Sequence, residues 1–123
     1  MYSNLSGLEN LDFFSRLAGF VYTQNELISF LQRVNLQQEA YKKRLSSYSK
    51  GMRQKVGIAI ALAKNANYIL MDEPTSGLDP KASVEFAEIC KTLSANGVAI
   101  LMATHDIFNA VNIGSIDSFS YND

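Results

Sequence analysis

The apolar positions of this chain change period as it proceeds. Leu8, Leu11, Phe14, Leu17 and Ala18 recur every three or four residues, as do Leu27, Phe30, Leu31 and Val34. That spacing predicts two amphipathic helices, each burying one stripe. Each stripe opens with a hydroxyl residue and a glutamate three positions on, Ser6 with Glu9 and Thr23 with Glu26. At that spacing the two side chains satisfy first-turn amides reciprocally. Gly19 suits a left-handed stop to the first helix. A shorter amphipathic stretch runs from Gln37 to Leu45.

Residues 50–64 are ambiguous by period alone. Val56, Ile58, Ile60 and Leu62 alternate as in a strand, but Gly57, Ala59 and Ala61 between them are not polar. The preceding Met-Arg-Gln-Lys favours helix and Ser49 is a good N-cap, so a buried helix is predicted. Tyr68 to Met71 and Val98 to Ala103 are short apolar runs of the kind that form buried parallel strands. Between them Asp79-Pro80 supplies an N-cap and a first-turn proline, and Phe86, Ile89, Cys90 and Leu93 give a helical stripe that Asn96-Gly97 stops. Strand, helix, strand at this spacing is a βαβ unit, which places Glu73 and His105 at one edge of a parallel sheet. A last helix is expected from about Asp106 to Ile113.

Composition narrows the class without naming a function. At 123 residues, with 47% hydrophobic and 19% charged positions, the chain is an ordinary globular one. A net charge of −1 gives no reason to expect nucleic acid or an anionic membrane as a direct partner. The single cysteine, Cys90, excludes an internal disulfide and reads as a small buried hydrophobe. No apolar run approaches the ~18 residues that span a bilayer, and no secretory leader is evident.

The candidate chemistry lies in Tyr68-Ile-Leu-Met-Asp-Glu-Pro-Thr-Ser-Gly-Leu-Asp-Pro80. An apolar strand ends in two adjacent carboxylates, Asp72 and Glu73, at the strand end where ligands collect in open parallel sheets. Two such acids suit a metal ion and an activated water, and they are costly to bury without such work. This run resembles the Walker B and D-loop region of ABC-type ATPases. Ser49-Lys-Gly-Met-Arg-Gln-Lys55 resembles the signature segment of the same family, and Ala103-Thr-His-Asp106 its switch-histidine loop. The opening, Leu5 to Phe14, resembles the start of the family's helical subdomain. Three motifs in the family's order are specific, and with the opening the resemblance extends over almost the whole chain.

The resemblance implies roles for particular residues. Asp72 would position Mg²⁺ through its water shell, and Glu73 would be the general base for the attacking water. His105 would hydrogen-bond the γ-phosphate. Ser49, Gly51 and Met52 would lie in the signature segment that contacts ATP held by the opposite subunit. Asp79 would be the D-loop aspartate that communicates across the dimer, a role compatible with helix capping. The signature departs from the commonest form, since Tyr48 replaces leucine, Lys50 replaces glycine and Met52 replaces glutamine; such variants resemble exporter-type members. None of the seven glycines is followed by lysine, so there is no phosphate-binding P-loop among these residues.

The expected fold is therefore α/β, a partial P-loop-NTPase-type parallel sheet with a helical subdomain. Residues 1–48 would form the helical subdomain, and residues 49–123 the signature helix with a partial core. The implied function is the ATP-binding and ATP-hydrolysing subunit of an ABC transporter. The resemblance further implies a second nucleotide-binding subunit, a transmembrane permease subunit and a cytoplasmic, peripheral place at the cell membrane. The chain would be the C-terminal half of its domain, inactive alone, exposed at its sheet edges and prone to associate. A soluble ABC-type ATPase of translation or DNA repair is the alternative, as is a non-catalytic remnant.

Overall fold

The computed structural model describes residues 1–103. They form two compact units, residues 1–66 and residues 67 onward. The first holds α1 (Gly7–Leu17), α2 (Gln24–Arg33), two 3₁₀ turns (Gln38–Ala40 and Leu45–Ser47) and α3 (Lys50–Ala63). The second holds β1 (Tyr68–Asp72), α4 (Pro80–Ala95) and β2 (Ala99–Ala103). By packing, α3 joins the helices before it, because its contacts are to α1 and α2. The compact division thus falls later than residue 48, the limit expected for the helical subdomain.

Both capping boxes form. The Ser6 hydroxyl accepts from the Glu9 amide while Glu9 accepts from the Ser6 amide, and Thr23 and Glu26 repeat the exchange. At the other ends, all four α-helices among the described residues finish in the same way. The amide two residues past the C-cap bonds back into the last turn, as Phe20 N–H does to Ser15 O at 2.9 Å and Leu36 N–H to Leu31 O at 3.0 Å. Ala66 to Ala61 (3.0 Å) and Val98 to Leu93 (2.9 Å) complete the set. This arrangement needs one left-handed residue, which is Gly19 after α1 and Gly97 after α4. After α2 and α3 it is Asn35 (φ 59°) and Asn65 (φ 63°), the side chain that best tolerates that region after glycine.

The core of the first unit is aliphatic, with Leu11, Leu31, Val34 and Val56 fully enclosed. Of residues 50–64 all but the last are helix: α3 buries Val56, Ile58, Ile60 and Leu62 together with Ala59 and Ala63, so the alternation was accidental. The stripe of α1 is rotated from expectation. Leu17 is 68% exposed, whereas Asn10 and Ser15 are fully buried. Asn10 is accommodated because its amide donates to the carbonyls of Tyr2 and Ser6 and accepts from the Tyr2 amide at 2.8 Å. The stretch from Gln37 to Leu45 folds as short turns rather than a helix. It crosses the entrance of α1, where Ser6 and Arg44 form an antiparallel bridge and Leu45 N–H donates to Leu5 O at 2.9 Å.

In the second unit β1 and β2 pair in parallel, with Tyr68 opposite Ala99 and Asp72 opposite Ala103. Helix α4 connects them and packs on β2 through a stripe that buries Phe86, Ile89 and Leu93. Tyr68 and Leu70 remain about half exposed. No helix among the described residues is long and apolar enough to cross a membrane. The helix expected from Asp106 lies outside the described residues.

Candidate functional site

Within the first unit, the predicted signature residues gather at the amino end of α3. Ser49 is its N-cap, in extended backbone, with its hydroxyl accepting from the Met52 amide at 3.2 Å. That bond uses the serine as an acceptor and leaves its O–H available as a donor. Ser49 is exposed, and Gly51 and Met52 are half-buried in the first turn. First-turn amides and the helix dipole make such an end favourable to an anion. Two basic side chains in α3 are held by backbone carbonyls: Arg53 donates to Tyr48 O at 2.6 Å, and Lys55 to Asn35 O at 3.0 Å.

Within the second unit, Asp72 and Glu73 stand at the carboxyl end of β1. Asp72 is exposed and is the last residue of the strand. Glu73 takes φ 47°, in the left-handed region, immediately before Pro74. A glutamate there is unusual, and a proline after it restricts the backbone further. The strain sits where a tight reversal begins: Ser76 N–H bonds to Glu73 O at 3.2 Å and Leu78 N–H to Thr75 O at 3.2 Å. Non-glycine residues held in this region cluster at functional sites. Asp79 then caps α4, its carboxylate accepting from the Ala82 amide at 2.7 Å, with Pro80 in the first turn.

The structure thus brings Ser49, Gly51 and Met52 together in one unit, and Asp72 and Glu73 together in the other, with Asp79 beginning the next helix. His105 lies outside the described residues. Among the described residues no group of three or more His, Cys, Asp and Glu side chains could hold a metal ion on its own. That is compatible with magnesium, which keeps several waters and takes one or two carboxylates plus substrate phosphates. Exposed Asp72 fits that donor set. Cys90 is half-buried, and burial pushes its thiol up, against a role as nucleophile.

Sequence reasoning missed the left-handed backbone of Glu73. The signal for it was weak, since Glu-Pro alone predicts extended chain. It also missed the setting of Tyr48, which is buried and hydrogen-bonds through its hydroxyl to Ala40 O.

The family model described as ABC transporter matches residues 2–76. The lantibiotic transport ATP-binding protein SrtF of Streptococcus pyogenes is 29% identical over 98% of this chain and 52% of its own length. The bacitracin transport ATP-binding protein BcrA of Enterococcus faecalis is 35% identical over 94% of this chain and 37% of its own. The chain therefore spans about half or less of the curated relatives it matches. Among solved structures, the dimeric ABC transporter cassette MJ0796 superposes with a TM-score of 0.66 at 28% identity, covering 90% of this chain and 50% of that one. The same cassette in a dimeric post-hydrolysis state bound to ADP and Pi matches at TM-score 0.66 and 27% identity, over 88% of this chain and 49% of that one. With the family model matching residues 2–76, more than half of its length, the chain belongs to the ABC transporter family of ATP-binding cassettes.

Proposed function

We propose that this chain contributes the signature segment and the catalytic carboxylates to the ATP-hydrolysing subunit of an ABC transporter. The observation that carries this reading is the strained backbone of Glu73 at the carboxyl end of β1, beside exposed Asp72. Phosphoryl transfer depends mainly on positioning and on offsetting charge. Glu73 is the general base that takes a proton from the attacking water. Asp72 holds the water shell of a magnesium ion, which when bound offsets charge on the β- and γ-phosphates. His105 donates a hydrogen bond to the γ-phosphate. Ser49 and the first turn of α3, with Gly51 and Met52, close over ATP held by a second nucleotide-binding subunit. Asp79 sits at the start of α4, where it both caps the helix and communicates across that dimer.

The wider assignment follows the family. Residues 1–48 form the helical subdomain and residues 49–123 the signature helix and core. The helical subdomain docks a transmembrane permease, placing the subunit on the cytoplasmic face of the membrane. Turnover requires a phosphate-binding loop supplied outside these residues. The test is ATP hydrolysis by the chain combined in trans with the phosphate-loop half of the bacitracin transport protein. Magnesium-dependent turnover that falls about 10²–10⁴-fold with Glu73→Gln is expected. Turnover indifferent to that substitution, or none from the pair, would overturn the reading.

A further inference from the structure

Tyr48 immediately precedes the capping serine of α3 and is buried, at 4% exposure. Its phenol joins three segments of the first unit. The hydroxyl donates to the carbonyl of Ala40, in the first 3₁₀ turn. The phenol also packs closely against Gly7, the first residue of α1. The Tyr48 carbonyl in turn accepts from the Arg53 guanidinium at 2.6 Å, one turn into α3.

Gly7 makes this seat possible. A Cβ added there would stand 2.5 Å from the Tyr48 hydroxyl oxygen, and 3.4 Å from both the ring carbon bearing it and a Val56 methyl. Only the oxygen is in serious conflict. The absence of a side chain at position 7 and the presence of a hydroxyl at position 48 are one feature. The opening of α1 and the opening of α3 are thereby set by one phenol.

We propose that Tyr48 is the positioning residue of the signature segment. Its hydroxyl ties the Ala40 carbonyl to the residue next to Ser49 while the phenol packs against the start of α1 at Gly7, and so sets where the amino end of α3 presents its serine and first turn to the phosphate. This rests on the signature role given above. Tyr48 does not touch the nucleotide; it acts through Ser49.

The test uses a four-variant cycle on the chain itself: wild type, Tyr48→Phe, Gly7→Ala and the double variant. The readouts are hydrogen exchange at the Met52 amide, bonded to the Ser49 hydroxyl, and the Arg53 amide, bonded to the Ser49 carbonyl. Each single variant should speed exchange at both by roughly tenfold, the factor expected from losing a buried hydrogen bond. Amides of α4 should not change. Removing the hydroxyl relieves the clash, so the double variant should exchange like Tyr48→Phe alone rather than compounding the two effects. Unchanged exchange in Tyr48→Phe, or a Gly7→Ala effect undiminished in the Phe background, overturns the proposal. In the assembled ATPase, Tyr48→Phe should lower kcat several-fold while KM for ATP stays within about twofold, the split left by a contact made in the transition state. Unchanged kcat with loosened amides overturns it as well. Absence of turnover in the wild-type pair condemns the functional reading, while the exchange cycle still decides whether Tyr48 holds the start of α3.

Discussion

Asp72 stands opposite Ala103 in the parallel ladder, so the carboxylate that ends β1 is level with the last residue of β2. The carboxyl edge of a parallel sheet is where ligands gather. From this level one strand continues in sequence to Glu73 and the other to Thr104 and His105. The βαβ reading of the sequence required such a register, and the described part of the sheet has it.

The backbone of Glu73 yields a stability prediction separate from its chemistry. At φ 47° any side chain but glycine carries strain. Glu73→Gly should therefore be more stable than Glu73→Ala by about 1–2 kcal/mol, a difference that cancels the loss of the carboxylate common to both. Paired thermal melts of the two variants measure it. Equal midpoints would mean that the left-handed backbone is not strained here.

Asp79 has a capping role that can be parted from any role across a dimer. Asp79→Ala should cost about 1 kcal/mol by removing the acceptor for the Ala82 amide, whereas Asp79→Asn should keep stability within a few tenths. Denaturation of both variants gives the first comparison, and ATPase activity of the assembled pair gives the second. If Asp79→Asn retains full stability and loses turnover, the carboxylate serves more than the helix.

Asn10 is a fully buried polar side chain holding the segment before α1. Asn10→Leu would strand the Tyr2 amide that donates to it and carbonyls that accept from it. The expected cost is on the order of 2–3 kcal/mol, read as a lower urea midpoint. A neutral Asn10→Leu would show that water replaces those bonds.

Stability should also bend at alkaline pH. Burial, the larger influence, raises the Tyr48 phenol above its ordinary value of 10.0, against the Gly7 amide, which lowers it. The folded chain then keeps a proton that the unfolded chain gives up, so this contribution is fully present below pH 10.0 and declines as pH rises toward the folded value. Cys90, also raised by burial, acts in the same direction from its ordinary 9.0. Tyr48→Phe should flatten its share of the decline in denaturation midpoints measured across this range.

What the sequence disclosed was mostly local. Capping pairs such as Ser6 with Glu9 sit at fixed spacing and need no tertiary partner, and the Asp79-Pro80 helix start is likewise self-contained. The turn of α1 about its axis was not legible. Hydrophobic periodicity counts Leu17 as core and Asn10 as surface, yet Asn10 is buried because nearby carbonyls satisfy it. The helix ends at Asn35 and Asn65 carry no glycine, the residue that most plainly marks a left-handed stop. At the candidate site, residue types placed Asp72, Glu73 and Ser49 on their elements. The backbone of Glu73 and the seat of Tyr48 depend on segments far apart in the chain, and no period records them.

The bridge between Ser6 and Arg44 has a consequence for how the chain folds as it is made. It closes a loop that contains all of α1 and α2, and closing a loop costs entropy before its contacts repay it. During synthesis, α1 emerges ahead of residue 48, whose phenol packs against the start of that helix. Its main helical partner, α3, comes later still. The first helices would then wait, half-supported, until the signature segment leaves the ribosome. Folding of the helical unit and formation of the amino end of α3 would be a single event.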